Sequence, residues 1–433
     1  MMKNSDYSRK INEIYVKLLS EGKTDDVIRA INDQEYFEKI MVEHGLIDDS
    51  KWIASFWDRL VGVSKTGNIS EFESLQREKR NKIPQKLFRF RPILGNSIRY
   101  KDNPLFNYFA NYPFLNNSFS EEQLCKRLDE NYIEIINLLP NISEIERRKS
   151  EVKGELYCAN AFYQNDPYDS SAAGMKPSDI DAEMQRISKS VFSQELYDHV
   201  HNPAFSASFL DIDEPKSLPM WNLYAENYNG CCLEYDTEDW EDKWRDALFP
   251  VNYSENLLGL KDYLSTDGLG LRYNDDQFAY IIPFLTLKLR DWDYEREWRI
   301  VLNAELLKKH EKFNFLQDKR STMPDSLVKG IVKTYLDNNQ IYNEKINDNS
   351  YGAFMRLSGC LVSGFKKPSR IYFPDIEHNR KHSSLEKGDL IYIAAQRKMI
   401  EAIRELNRMD FKDKPIRLSK MRFTINGIEF DDI

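Results

Sequence analysis

Leu87-Phe88-Arg89-Phe90-Arg91 lies between Pro84 and Pro92 and alternates apolar with basic residues. A period of two marks a β-strand with two different faces, here one of Phe88 and Phe90 and one of Arg89 and Arg91. The same design recurs downstream. In Phe205-Ser206-Ala207-Ser208-Phe209 the aromatic rings and Ala207 face one way and the two hydroxyls the other. In Trp292-Asp293-Tyr294-Glu295-Arg296-Glu297-Trp298-Arg299 the spacing puts Trp292, Tyr294, Arg296 and Trp298 on one face. It puts Asp293, Glu295, Glu297 and Arg299 on the other. Each segment offers an apolar face to a core and a second face of selected polar groups.

Outward from these strands the period changes. Before residue 80 apolar residues recur at helical spacing over 12–19, then from Thr24 through Val27, Ile28, Ile31, Phe37 and Ile40, and again from about Asp49 through Trp52, Phe56, Trp57 and Leu60. Thr24, Asp25 and Asp26 supply a cap and an acidic first turn. From Arg77 to Arg91 the chain is basic. Helical patterns return over 120–139 and 143–153, and β patterns over 156–163, 204–210, 231–235 and 292–302. Residues 220–228 read as a helix with Trp221, Tyr224 and Tyr228 on one face, ended by Gly230. A helix is expected over 393–406, and two β runs, 416–422 and 423–430, turn near Asn426-Gly427. Strands and helices do not alternate regularly, so the expected class is α+β with mixed, largely antiparallel sheets forming a cleft. A helical N-terminal extension is expected over 1–80 and a core domain over 81–433, with polar insertions near 255–280 and 305–350.

Composition narrows the function classes. The 433 residues hold 24 Tyr, 24 Phe and 7 Trp against only 17 Gly, which predicts a large packed core and disfavours glycine-rich phosphate turns. Any nucleotide would have to be held by side chains. Trp221, Trp240, Trp244, Trp292 and Trp298 concentrate in one central stretch. The net charge of −9 opposes indiscriminate nucleic-acid binding, apart from the basic run before the first strand. No apolar run approaches the roughly 20 residues of a membrane span, and residues 1–10 lack the apolar segment of a secretory signal, so a cytoplasmic protein is expected. Five Cys without a C-x-x-C indicate neither a disulfide framework nor a thiolate zinc site, and Cys231 and Cys232 read as core thiols. His199 and His201 have no carboxylate pair at metal-ligand spacing, and His378 and His382 are spaced i,i+4 but lie among Asn379, Ser383 and Ser384 in what reads as a loop. No metal cofactor is expected.

The polar faces admit a plain reading, half-buried strands with a solvated side, in which Arg299 neutralises the Glu295/Glu297 pair. Their order admits another. An arginine strand, then Ser-x-Ser, then Glu-x-Glu resembles the signature of ADP-ribosyltransferases. That resemblance implies a cleft between two small sheets holding NAD as substrate. Arg89 or Arg91 would contact the pyrophosphate, Ser206 and Ser208 would line the nicotinamide side, and Glu297 would bond the ribose and stabilise the transition state. Glu295 would orient the acceptor.

A second set of motifs covers more of the chain: Asn165-Asp166-Pro167-Tyr168-Asp169, Met220-Trp221-Asn222-Leu223-Tyr224-Ala225, Gly230-Cys231-Cys232-Leu233-Glu234-Tyr235 and the Glu-x-Glu-Trp-Arg strand. From about Lys86 to the C-terminus they resemble the uncharacterised bacterial family called domain of unknown function 2971, some of whose members lie near phage-defence genes. Tyr228 stands where that family's pattern usually places a histidine. Asn165 and Asp166 suit an Asx-type turn, with Asp166 or Asp169 as an alternative ligand contact; Tyr224 packs in the core or meets a ribose or base. The leading expectation is an NAD-dependent ADP-ribosyltransferase-like effector in anti-phage defence or a toxin system, with a protein or nucleic-acid acceptor. The alternatives are a metal-dependent nuclease drawing on Asp166, Asp169, Glu234, Glu295 and Glu297, and a non-catalytic sensor binding a nucleotide or, through the N-terminal helices, a protein partner.

Overall fold

The computed structural model describes residues 14–32, 36, 40, 49–66, 68–94, 143–160, 204–254, 282, 285–303, 313–317, 357–379, 387–425 and 427–433. The helix expected over 120–139, the turn with Asp166 and Asp169, and His199, His201 and His382 lie outside the described residues. Two compact units divide the chain: Met1–Ile83 with Gly259–Pro283, and Pro84–Leu258 with Phe284–Ile433.

In the first unit the described elements are helices, α1 (Thr24–Asn32), α2 (Asp49–Thr66) and α3 (Ile69–Lys82). Asn68 caps α3 by accepting the Glu71 amide at 3.2 Å. Lys79, Arg80 and Lys82 fill its last turn, where cations complement the helix dipole. Phe56, Trp57, Leu60 and Leu75 are buried. Arg59 joins Glu71 and Glu78 at 2.8 and 2.6 Å. A second apolar cluster unites Ile14, Leu18, Val27, Ala30 and Ile40.

The second unit is built on strands β1 (Lys86–Arg91), β2 (Glu155–Asn160), β3 (Ala204–Leu210), β4 (Cys231–Asp236), β5 (Leu248–Pro250), β6 (Asn252–Ser254), β7 (Leu287–Leu289), β8 (Glu297–Asn303), β9 (Phe313–Gln317), β10 (Leu357–Ser363), β11 (Arg370–Pro374), β12 (Arg417–Thr424) and β13 (Gly427–Asp432). Among the described residues eleven strands form one open sheet in the order β13-β12-β11-β4-β1-β3-β2-β10-β9, with β8 on β3 and β5 on β8. Its pairs are antiparallel except β11–β12. The sheet branches at β3. One edge of β3 pairs along its length with β8. The other meets β1 only at Leu210 and β2 only at Phe205 and Ser206. β6 and β7 form a separate parallel ribbon. Helices α4 (Ser143–Val152), α5 (Leu218–Tyr224), α6 (Asp242–Asp246), α7 (Ile376–Asn379) and α8 (Lys387–Met409) complete the unit. The class is α+β.

Both sheet faces are packed. On one, Phe88, Phe90, Leu210, Met220, Trp221, Cys232, Tyr372 and Met421 form a core cluster. On the other, Phe365 meets the rings of Trp240, Trp244 and Tyr235 at 4.8–5.4 Å, and Phe209 meets Tyr235 edge to face at 5.6 Å. The central tryptophans Trp221, Trp240, Trp244 and Trp298 are all buried.

Two expectations are corrected. The strand expected over 292–302 begins only at Glu297, because Arg290–Glu295 is a 3₁₀ turn and Arg296 is left-handed at φ 45°. The Arg296 amide closes that turn on the Asp293 carbonyl at 3.0 Å. The helix expected to reach Tyr228 ends at Tyr224; Glu226, Asn227 and Tyr228 follow with φ of 51°, 53° and 66°. Gly230 is required by proximity, since a Cβ there would sit 2.3 Å from the Arg91 carbonyl oxygen. Within the polar stretch 305–350, residues 313–317 are a strand that pairs with β10.

Candidate active site

Strand pairing assembles the site. In an antiparallel ladder directly opposed residues point to the same side. Ser208 opposes Arg299 and Leu210 opposes Glu297, so Ser208, Glu297 and Arg299 share one face. The ribbon adds Tyr253 on β6 directly beside Lys288 on β7. The 3₁₀ turn returns Glu295 to the same place, and Tyr224 reaches it from the last residue of α5.

The contacts are short and enclosed. Lys288 Nζ donates to Glu295 Oε2 at 2.5 Å and to Glu297 Oε2 at 3.1 Å. Arg299 grips Glu297 with two nitrogens, Nε to Oε1 at 2.6 Å and Nη2 to Oε2 at 2.9 Å. Its Nη1 donates to the Leu285 carbonyl at 2.8 Å. The Tyr224 hydroxyl donates to Glu295 Oε1 at 2.8 Å, and the Glu297 amide donates to the Tyr253 hydroxyl at 2.9 Å. Ser208 also hydrogen-bonds the Glu297 carboxylate. Glu295, Glu297, Lys288 and Arg299 are all buried.

The two carboxylates titrate in opposite directions. Burial alone would raise Glu297, but the Arg299 guanidinium and the Lys288 ammonium outweigh it and hold the group well below the usual carboxylate range. For Glu295 burial dominates and the neighbouring Glu297 charge adds to it, raising its pKa against the opposing pull of Lys288 and Tyr224. Burial likewise pushes the Tyr253 hydroxyl up, with Glu297 adding to it. A carboxylate pair split in this way separates a standing anion from a group able to carry a proton.

The arginines belong to a different cluster. Phe88 opposes Leu210, so Arg89 and Arg91 project to the sheet face away from Ser208 and Glu297. Arg89 lies 5.0 Å from the Phe209 ring centroid on that side. It donates to Glu151 at 3.2 Å and to the Tyr157 carbonyl at 3.2 Å, bridging β1 to β2 where they part from β3. Arg148 also binds Glu151, and Arg91 approaches it at 3.8 Å. Burial would raise Glu151, but Arg148, Arg91 and Arg89 together lower it.

Of the residues singled out in the sequence, the structure therefore gathers Ser208, Tyr224, Glu295, Glu297 and Arg299, the last pairing with Glu297 as the plain reading expects. Arg89 and Arg91 stand apart, Ser206 opposes Ala159 and Val301 further along β3, and Asp166 lies outside the described residues. Glu234 is held elsewhere, by Lys86 at 2.9 Å and the Tyr372 hydroxyl. Among the described residues no group of three or more His, Cys, Asp or Glu is placed to hold a metal ion. Sequence reading missed Lys288, Tyr253, Arg148 and Glu151. The one signal for Lys288 was a charge between the apolar Leu287 and Leu289.

No curated protein and no solved structure matches the chain. A family match does occur, narrower than the span from Lys86 onward that the motifs suggest. It includes Tyr224, Tyr253, Lys288, Glu295, Glu297 and Arg299, all of the acidic site except Ser208. Residues 220–300 match the family described as "Protein of unknown function (DUF2971)".

Proposed function

We propose that the protein is an enzyme whose buried pair, Glu295 and Glu297, acts on the glycosidic bond of NAD in the manner of an ADP-ribosyltransferase. The setting that accompanies this reading is a bacterial anti-phage or toxin effector. The observation that carries it is the split pair: two carboxylates on one ammonium, one held ionised and one pushed toward its acid form. In this reading the ribosyl C–N bond breaks with its electron pair leaving on nicotinamide. The ionised Glu297 stabilises the oxocarbenium-like ribose. Glu295 accepts the proton of the incoming nucleophile as the new bond to ribose forms. Because Arg89 and Arg91 face the other side of the sheet, groups other than these must hold the pyrophosphate.

The test is incubation of the full chain with NAD and cell lysate, following nicotinamide release and labelling of acceptors. Glu295→Gln and Glu297→Gln are each expected to lower turnover by a factor of about 100 or more. Turnover that is absent in the unaltered protein, or unchanged in both variants, overturns the reading. A second reading, a non-catalytic sensor, is favoured by the fact that all four carboxylate oxygens of the pair already have protein partners. It predicts that biological activity survives replacement of both residues by Gln.

A further inference from the structure

We propose that Lys288 is a positioning residue of this site: its ammonium ties Glu295 to Glu297 and sets how readily Glu295 gives up its proton beside the standing anion of Glu297. The inference rests on taking Glu295 and Glu297 as the reactive pair.

Two cations serve the pair, and they are not equivalent. Arg299 commits Nε and Nη2 to Glu297 and Nη1 to a backbone carbonyl. A planar guanidinium fork of this kind fixes one carboxylate. Lys288 bridges, with 2.5 Å to one acid and 3.1 Å to the other, and its side chain is only 4% exposed. Its own placement is determined twice. The β6–β7 pairing sets it beside Tyr253, whose hydroxyl holds the Glu297 amide. The Trp292 ring centroid lies 5.0 Å from Nζ, a cation–π contact on the turn that carries Glu295. One short ribbon thus grips the backbone of one acid and the carboxylates of both.

The remaining groups around Glu295 work to either side of this bridge. The Tyr224 hydroxyl favours its ionised form, as Lys288 does, whereas burial and the Glu297 charge favour the acid form. Tyr294, next in sequence, has its own pKa raised by burial and then by the Glu295 charge. Ser208 and Arg299 act on Glu297. Removing the ammonium leaves two buried carboxylates facing each other, so Glu295 must retain its proton to a higher pH.

The experiment is a carboxyl infrared titration of the full chain, with the Glu295 band assigned by its loss in Glu295→Gln. Lys288→Met should move the Glu295 midpoint up by about 1–3 pH units, and Lys288→Arg, which keeps the charge, should return it most of the way. An unmoved midpoint in Lys288→Met, or a shift in Lys288→Arg as large as in Lys288→Met, overturns the proposal. In the unsubstituted protein the ¹⁵N resonance of Lys288 Nζ should shift with the Glu295 midpoint; a flat trace across it overturns the proposal even where Lys288→Met fails to fold. Neither measurement uses NAD. A protein without turnover but with the Lys288-dependent titration loses the reaction and keeps the bridge, and an active protein with an unmoved titration does the reverse.

Discussion

Removing a charge from a buried pair is costly when it strands the partner. Arg299 is wholly buried, and its Nε and Nη2 both end on Glu297. Glu297→Gln should therefore destabilise the protein by about 3–5 kcal/mol, as breaking other buried pairs does. Glu295 differs because burial already disfavours its charge and Glu297 repels it. Glu295→Gln removes that repulsion along with one bond to Lys288, and its cost should be clearly smaller. Urea unfolding at pH 7 separates the two, and equal losses would show that the pair is not divided as described. Glu151 falls under the same reasoning as Glu297, since Arg89 and Arg148 are buried around it. Glu151→Gln should also cost about 3–5 kcal/mol, while leaving the Glu295 titration unmoved because it acts on the opposite face of the sheet.

At the scale of elements, the segment after α5 is the least regular. Three successive non-glycine residues, Glu226, Asn227 and Tyr228, are left-handed, a conformation that costs an ordinary L-residue about 1–2 kcal/mol. Two of them have compensation: Glu226 accepts the Ile93 and Leu94 amides at 2.8 and 3.0 Å, and Tyr228 meets Phe423 edge to face at 5.6 Å. Asn227 is exposed, so its substitution reads the backbone alone. Asn227→Ala should lower stability by about 1 kcal/mol and Asn227→Gly should be the better tolerated of the two. Were residues 226–228 a continuation of the helix, the order would reverse, because Ala exceeds Gly by about 1 kcal/mol in a helix interior. Thermal unfolding of the two variants decides between these geometries. This segment also marks where sequence stops being legible. Alternation in Lys86–Arg91 and Ala204–Leu210 is a local property, and both are strands as read. That Arg89 and Arg91 share a face was legible too. Whether that face is the one bearing Ser208 and Glu297 depends on Phe88 opposing Leu210, a register set by residues more than a hundred positions apart. Lys288 escaped notice for the same reason, since its role follows from pairing with Tyr253 and from the turn at Arg290–Glu295. Arg296 carries no local mark of its left-handed backbone, so an apparent strand of alternating acids was in fact a turn followed by a strand.

For the molecule as a whole, the sheet of the second unit buries ionised groups on both faces, and this ties stability to pH. Glu151 and Glu297 have folded-state pKa values below their ordinary 4.5. Asp375, held by Arg422 and Lys420, lies below its ordinary 3.8. Each such group stabilises the fold above its unfolded pKa, and that contribution is lost as pH falls through the folded value. Glu295 has the opposite sign: raised in the folded state, it favours folding below about 4.5 and loses that contribution as pH rises through its folded midpoint. The two signs act in different windows: below about 4.5 Glu295 is protonated in both states, so among the described residues the slope there follows Glu151, Glu297 and Asp375. Unfolding free energy should rise as pH falls from the Glu295 folded midpoint toward about 4.5 and then fall as pH drops further. Each lowered group contributes about 1.4 kcal/mol to that fall for every pH unit separating its folded and unfolded midpoints. Hydrogen exchange of the β3 and β8 amides, followed from pH 7 downward and corrected for the intrinsic pH dependence of exchange, reads this on the sheet itself rather than on the N-terminal helices. Added salt should change the profile little, because Glu151 and Glu297 are shielded from mobile ions. In Glu295→Gln that contribution is gone, so the rise on acidification toward about pH 4.5 should be lost while the decline below it stays. A profile above about pH 4.5 that is the same in the variant and the unaltered protein would place the Glu295 pKa at its ordinary value, and with it would fall the division of labour between the two acids.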